Sequence, residues 1–165
     1  MHAIPEVMSP EMHRPSLLRR LWKMHANLQN LLNKLAPLAD LALRLYVANV
    51  FWVSGMTKVS SWDSTLQLFE YEYHVPLLSP TLAAYSGTFT ELFFPVLLVL
   101  GVGGRIPALI LFVFNIIAVI SYPDLNAVGL EQHKTWGVIL AVLLCHGHGP
   151  ISLDGVVRKV LTKHK

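Results

Sequence analysis

Three polar side chains stand inside long apolar stretches of the sequence. Glu91 lies within SGTFTELFFPVLLVL, residues 86–100, and Arg44 within LADLALRLYVANVFWVSGMT, residues 38–57. Asn115 lies within RIPALILFVFNIIAVISY, residues 105–122. Ionisable groups at the centre of a membrane-spanning helix cost roughly 2.5–3.5 kcal/mol on insertion scales and normally face a bundle interior. Three kinds of chemistry are open to them: an ion pair that binds helices together, a polar pocket for a ligand headgroup, or a path for protons or ions. A path needs a chain of ionisable groups, and mainly one pair is visible here.

The neighbours of these residues indicate how they are positioned. Ala84, Gly87, Thr88 and Glu91 fall along one side of a helix, and small residues let membrane-spanning backbones approach closely. Ala48, Phe51 and Gly55 continue the face of Arg44, with Lys58 just beyond. Pro95 removes the helical donor to the Glu91 carbonyl. Counted from the span ends, Arg44 sits roughly 9 Å and Glu91 roughly 15 Å from the same side, at 1.5 Å per residue. An arginine side chain can cover much of that difference, so an Arg44–Glu91 ion pair is expected, with Asn115 at a depth to hydrogen-bond either. The expected interior network or ligand pocket is therefore Arg44, Glu91, Asn115, Thr88 and Lys58, and no residue is singled out as catalytic.

A second cluster, CHGHGPISLDG (145–155), holds Cys145, His146 and His148. These are soft metal ligands in principle. Adjacent and alternating helix positions diverge, however, and no fourth ligand is evident, so no metal site is assigned. Gly147, Gly149 and Pro150 instead end a helix, and Ser152 to Asp154 cap the basic tail that follows. The single cysteine excludes an internal disulfide and a CxxC redox pair. His74 and His133 are both placed at the outer side, where they could meet.

The elements that carry these residues follow from composition. The chain has 165 residues, 53% hydrophobic and only 14% charged, and its mean hydropathy is +0.49. Soluble domains carry about 25% charged residues. Four stretches approach the roughly 20 residues needed to cross a bilayer: about 38–57, 79–101, 105–122 and 134–147, the last extending through His133 and Pro150 with Trp136 as an interface anchor. The expected fold is all-α, an integral membrane four-helix bundle preceded by an amphipathic interfacial helix. The expected domains are a leader and basic amphipathic helix (1–37), a four-span membrane domain (38–150) and a basic tail (151–165).

The leader MHAIPEVMSPEMHRP lacks the apolar core of a signal peptide. After the Ser16 cap position, Leu17, Leu21, Leu28, Leu32 and Leu35 recur at helical spacing opposite Arg19, Arg20, Lys23 and Lys34. That pattern reads as a surface helix on a membrane, or a docking helix for a partner, ended by Pro37. In the first outer loop, Leu66, Phe69 and Tyr73 form one side of a short helix while Glu70, Glu72 and His74 stay wet. Trp62, Tyr71 and Tyr73 suit a headgroup layer, or a lid over the bundle mouth.

Lysine and arginine set orientation. Arg14, Arg19, Arg20, Lys23 and Lys34 precede the first span, Arg105 lies between the second and third, and Arg158, Lys159, Lys163 and Lys165 follow the fourth. The other loops set Lys58 and Lys134 beside Asp63, Glu70, Glu72, Asp124 and Glu131. Both termini and the central loop are therefore expected to be cytoplasmic. This distribution accounts for the net charge of +3 without nucleic acid.

From about Asp40 to Val157 the chain resembles the DoxX-like family of small four-helix bacterial membrane proteins. The resemblance rests on RLYVANVFWVSGMTKV with Arg44, Phe51, Gly55 and Lys58, on the Glu91-bearing second span, on GVGGR (101–105) and on the closing GHGPISLDG (147–155). His148 interrupts the family's closing turn, and the basic N-terminal helix lengthens the chain. The resemblance implies a bacterial inner-membrane protein linked to redox functions. The leading expectation is an accessory protein of a redox or metal/thiol-stress system, in contact with lipid and a partner protein, with a quinone headgroup as the candidate ligand. The alternatives are a catalytic membrane subunit of a quinone oxidoreductase of the thiosulfate:quinone type, or a small transporter.

Overall fold

The computed structural model describes residues 17–147 and 149–162. The leader, the Ser16 cap position, His148, Lys163 and Lys165 lie outside the described residues. Among the described residues there are six helices and no strand: α1 (Leu17–Ser60), α2 (Trp62–Tyr71), α3 (Pro80–Leu100), α4 (Ile106–Ser121), α5 (Ala127–His146) and α6 (Leu153–Thr162). The chain divides into two compact units, residues 1–35 and 36–165.

In the first unit, α1 is exposed all round: Leu17, Leu21, Leu28 and Leu32 are each more than half exposed. Pro37 does not end the helix as expected, because α1 runs through it to Ser60. A proline costs the helix one N–H donor and crowds the turn before it. It does not force a stop when good helix formers flank it on both sides.

The second unit is built around α1 from Ala36 onward with α3, α4 and α5. Val47, Ala48 and Phe51 of α1 meet Leu98 of α3, Ala108 and Leu111 of α4, and Leu140 and Leu143 of α5 in one apolar core. Phe51 is the hinge of the packing, edge-on to Phe114 at 6.1 Å and to Trp136 at 6.4 Å. Helix α2 closes one end, where Phe69 packs with Ala83 and Ala84, and Leu66 and Tyr73 lie beside them. Ser79 caps α3 through the Leu82 N–H, and Asn126 caps α5 through the Gly129 N–H. At the opposite end Ser152 caps α6 by accepting from the Gly155 N–H at 3.0 Å, as the sequence expects. α5 begins at Ala127, seven residues before the expected span, because the Asn126 cap starts it.

The unit carries apolar residues on its outside as well as in its core. Its buried residues include Arg44, Thr88, Glu91 and Asn115, while Leu82, Phe89, Phe93, Leu109, Val113 and Ile116 are exposed. Exposed apolar surface on this scale marks contact with lipid or protein. Helices α1 and α3 are long and apolar enough to cross a membrane, and α4 is a shorter apolar helix of 16 residues.

Candidate functional site

Glu91 is buried on the inner face of α3, and its partner is Lys58. The Lys58 Nζ donates to Glu91 Oε2 at 2.7 Å and to Oε1 at 2.8 Å. Ser54 Oγ donates to Oε1 at 3.1 Å and accepts from Lys58 at 2.9 Å. The two charged side chains retain 13% and 7% of their surface, so this pair is largely withdrawn from solvent. Three mutually bonded groups satisfy one another, as a buried charge requires.

The expected Arg44–Glu91 ion pair does not form. Arg44 Nη2 donates to the Ile151 carbonyl at 2.7 Å, and its Nε lies 3.4 Å from the Asp40 carbonyl. The reason is helix register. Gly55, eleven residues beyond Arg44, faces Glu91: a Cβ built there would stand 3.0 Å from the Glu91 Cβ. The missing side chain lets α1 and α3 close at that level, and Lys58, one turn on, reaches back along the groove. Counting from span ends could not find this, since a close glycine contact fixes register more sharply than a span boundary does.

Asn115 bonds neither Arg44 nor Glu91. Its Nδ2 donates to the His133 carbonyl at 2.9 Å, and His133 Nδ1 donates to its Oδ1 at 2.8 Å. Gly137 leaves the room, since a Cβ there would lie 3.3 Å from Asn115 Nδ2. Thr88 is buried on the Glu91 face, and its Oγ1 has no partner among the described residues. Four of the five expected residues thus fall into three separate arrangements: Lys58 with Glu91, Asn115 with His133, and Arg44 with the Ile151 turn; Thr88 joins none of them.

A cavity of about 730 Å³ opens beside the Lys58–Glu91 pair. Small-molecule sites usually span roughly 300–1,000 Å³. Phe51, Phe69, Phe114 and Trp136 form much of its apolar wall; Ser54, Tyr73, Ser121 and His133 are among its polar groups. Trp136 lines the cavity, with its ring 4.8 Å from that of His133. The rings of Tyr73 and Tyr122 lie 5.1 Å apart, and the His74 N–H donates to the Ser121 carbonyl. Burial first, and then the negative charge of Glu91, hold the Tyr73 phenol above the ordinary tyrosine range. It therefore remains a hydrogen-bond donor at neutral pH. Ser121 Oγ is buried without a partner among the described residues and lines the same space.

Sequence reasoning missed His133, Ser54 and the tyrosine pair as parts of this site. Ser54 carried a usable signal, one turn before Lys58 on the same helix face. Of the second polar cluster, His146 Nδ1 lies 3.0 Å from Asp40 Oδ1 and Cys145 is exposed.

Two helices long and apolar enough to span a bilayer, and apolar residues on the outside of the unit, accord with a membrane setting. The DoxX family model matches residues 39–123, just over half of the chain. The chain belongs to the DoxX family, and it is a membrane protein of that family. No curated protein and no solved structure matches it.

Proposed function

We propose that this chain is a bacterial inner-membrane accessory protein of a redox or metal/thiol-stress system, binding a quinone headgroup in the cavity beside Lys58 and Glu91. The observation that carries this reading is the composition of the cavity. Its wall is mainly apolar and aromatic, and donors suited to carbonyl oxygens stand at separate points: the Ser121 hydroxyl, unpartnered among the described residues, and the Tyr73 phenol. A flat, apolar ring with carbonyl acceptors fits such a set. Membership of the DoxX family supports the membrane setting and leaves the ligand to experiment.

The test is titration of the purified protein in micelles with a short-chain quinone, read by quenching of tryptophan fluorescence. Saturable binding of one equivalent is expected, weakened about tenfold in Glu91→Gln, which loses the charge holding Lys58 in place. Absence of saturable binding, or equal affinity in the variant, defeats the proposal.

In the same reading, α1 beyond Ala36, α3, α4 and α5 cross the membrane with both termini cytoplasmic. Cys145, exposed near the α6 end, provides the check. A membrane-impermeant maleimide is expected to label it in inside-out vesicles and not in intact cells. Ser61→Cys in a Cys145→Ser background is expected to show the opposite pattern. Labelling of both from the same side removes this topology.

A further inference from the structure

One polar side chain of the second unit is placed where neither a buried network nor water explains it. Asn49 is exposed on α1, midway between Leu38 and Ser60, and its amide has no hydrogen-bond partner among the described residues. Around it on the same face stand Leu38, Ala42, Leu45, Trp52 and Met56, all exposed. Their spacing alternates four and three residues, the period of a coiled-coil seam in which Asn49 occupies an a position. Beside it a groove of about 490 Å³ runs between α1 and α3, with Ala48 and Asn49 on one side and Pro95, Val96 and Val99 on the other.

We infer that a second copy of this chain packs along this face of α1, pairing the two Asn49 amides across a two-fold axis. The inference rests on α1 crossing a membrane, as proposed above. In lipid an amide without a partner is costly, and apolar side chains gain little by leaving lipid for protein. The occupant of the face must therefore bring a hydrogen-bonding group to the depth of Asn49. Two copies inserted with the same orientation do so, because a two-fold contact sets each residue of the seam against its own equivalent. The amide carries donors and an acceptor, so the pair is self-complementary. In the first unit, Leu17, Leu21, Met24, Leu28, Leu31 and Leu35 are exposed at the same four–three spacing, which continues in sequence to Leu38 without a phase break. A partner helix with this period is what such a sequence asks for, and a second α1 has it.

The experiment uses the full chain in a Cys145→Ser background, reconstituted in lipid and oxidised to form disulfides. Leu45→Cys on the seam is expected to give a covalent dimer, whereas Val113→Cys on the exposed face of α4 is not. In a fluorescence energy-transfer titration against protein:lipid ratio, Asn49→Val is expected to weaken self-association about tenfold. Asn49→Gln, which keeps the amide, is expected to retain most of it. Equal crosslinking at both positions, a monomer at every ratio, or an unchanged Asn49→Val curve overturns the inference and leaves lipid as the occupant. Alkaline carbonate washing of the same samples separates the premise from the inference. Protein lost in the wash refutes the membrane-spanning reading and the dimer together. Protein retained without a seam crosslink refutes only the dimer.

Discussion

Lys58→Met is expected to destabilise the second unit by about 3–5 kcal/mol, the usual consequence of removing one partner from a buried ion pair. The two side chains are nearly withdrawn from solvent, and Lys58 makes both short bonds to the Glu91 carboxylate. Without it Ser54 alone remains to Glu91, at 3.1 Å, and a single hydroxyl cannot compensate a buried charge. The double variant Lys58→Met/Glu91→Leu is expected to recover most of the loss, since well-packed apolar replacements for a buried pair are often neutral or stabilising. Denaturant unfolding in micelles, followed by tryptophan fluorescence, measures both. A single variant within about 1 kcal/mol of the parent protein would place the pair in a far wetter setting than its burial indicates. A double variant no better than the single one would show that the loss is of packing and not of charge balance.

Gly55→Val is the second large effect, expected at about 1–3 kcal/mol and greater than that of Gly55→Ala. A Cβ at position 55 meets Leu92 Cδ2 at 2.8 Å, Leu92 Cγ at 2.9 Å and Glu91 Cβ at 3.0 Å. The leucine end can rotate away, but the Glu91 Cβ is fixed to the α3 backbone. Relief therefore comes only by parting the two helices, which also draws Glu91 away from Lys58. The same unfolding assay should show Leu92→Ala restoring part of the stability lost in Gly55→Ala. It should restore less in Gly55→Val, whose extra methyls meet the Glu91 side as well. If Leu92→Ala rescues Gly55→Val completely, the contact with α3 does not set the helix separation.

These two sites also show how far the sequence could be read. Each apolar stretch matches a helix, three of them overrunning it by a residue, and the inward face of α3 at Ala84, Gly87, Thr88 and Glu91 is visible from helical period alone. The α1 face of Arg44, Ala48, Phe51 and Gly55 is equally visible, and all four are buried. Period gives the rotation of a helix about its axis but not its position along that axis. Along α1 the step from Arg44 to Lys58, the actual partner of Glu91, is nearly four turns. The pair of Asn115 and His133 was hidden for a related reason. His133 lies in the early turns of α5, which starts at Ala127 because of the Asn126 cap, a local signal that hydropathy overlooks. The cavity depends on the inward turn of Trp136 and the folding of the 73–78 loop over the helix ends. Neither is encoded in a period.

The bond between Arg44 and the Ile151 carbonyl joins residues 107 positions apart. During synthesis, the guanidinium of the first long apolar stretch is made early, and its acceptor only after α3, α4 and α5. Until that turn arrives and Ser152 caps α6, one of the most deeply buried side chains in the unit lacks its shortest hydrogen bond. Folding of this unit therefore has a built-in order of completion. A chain cut before Ile151 leaves this buried guanidinium with only its bond to the Asp40 carbonyl.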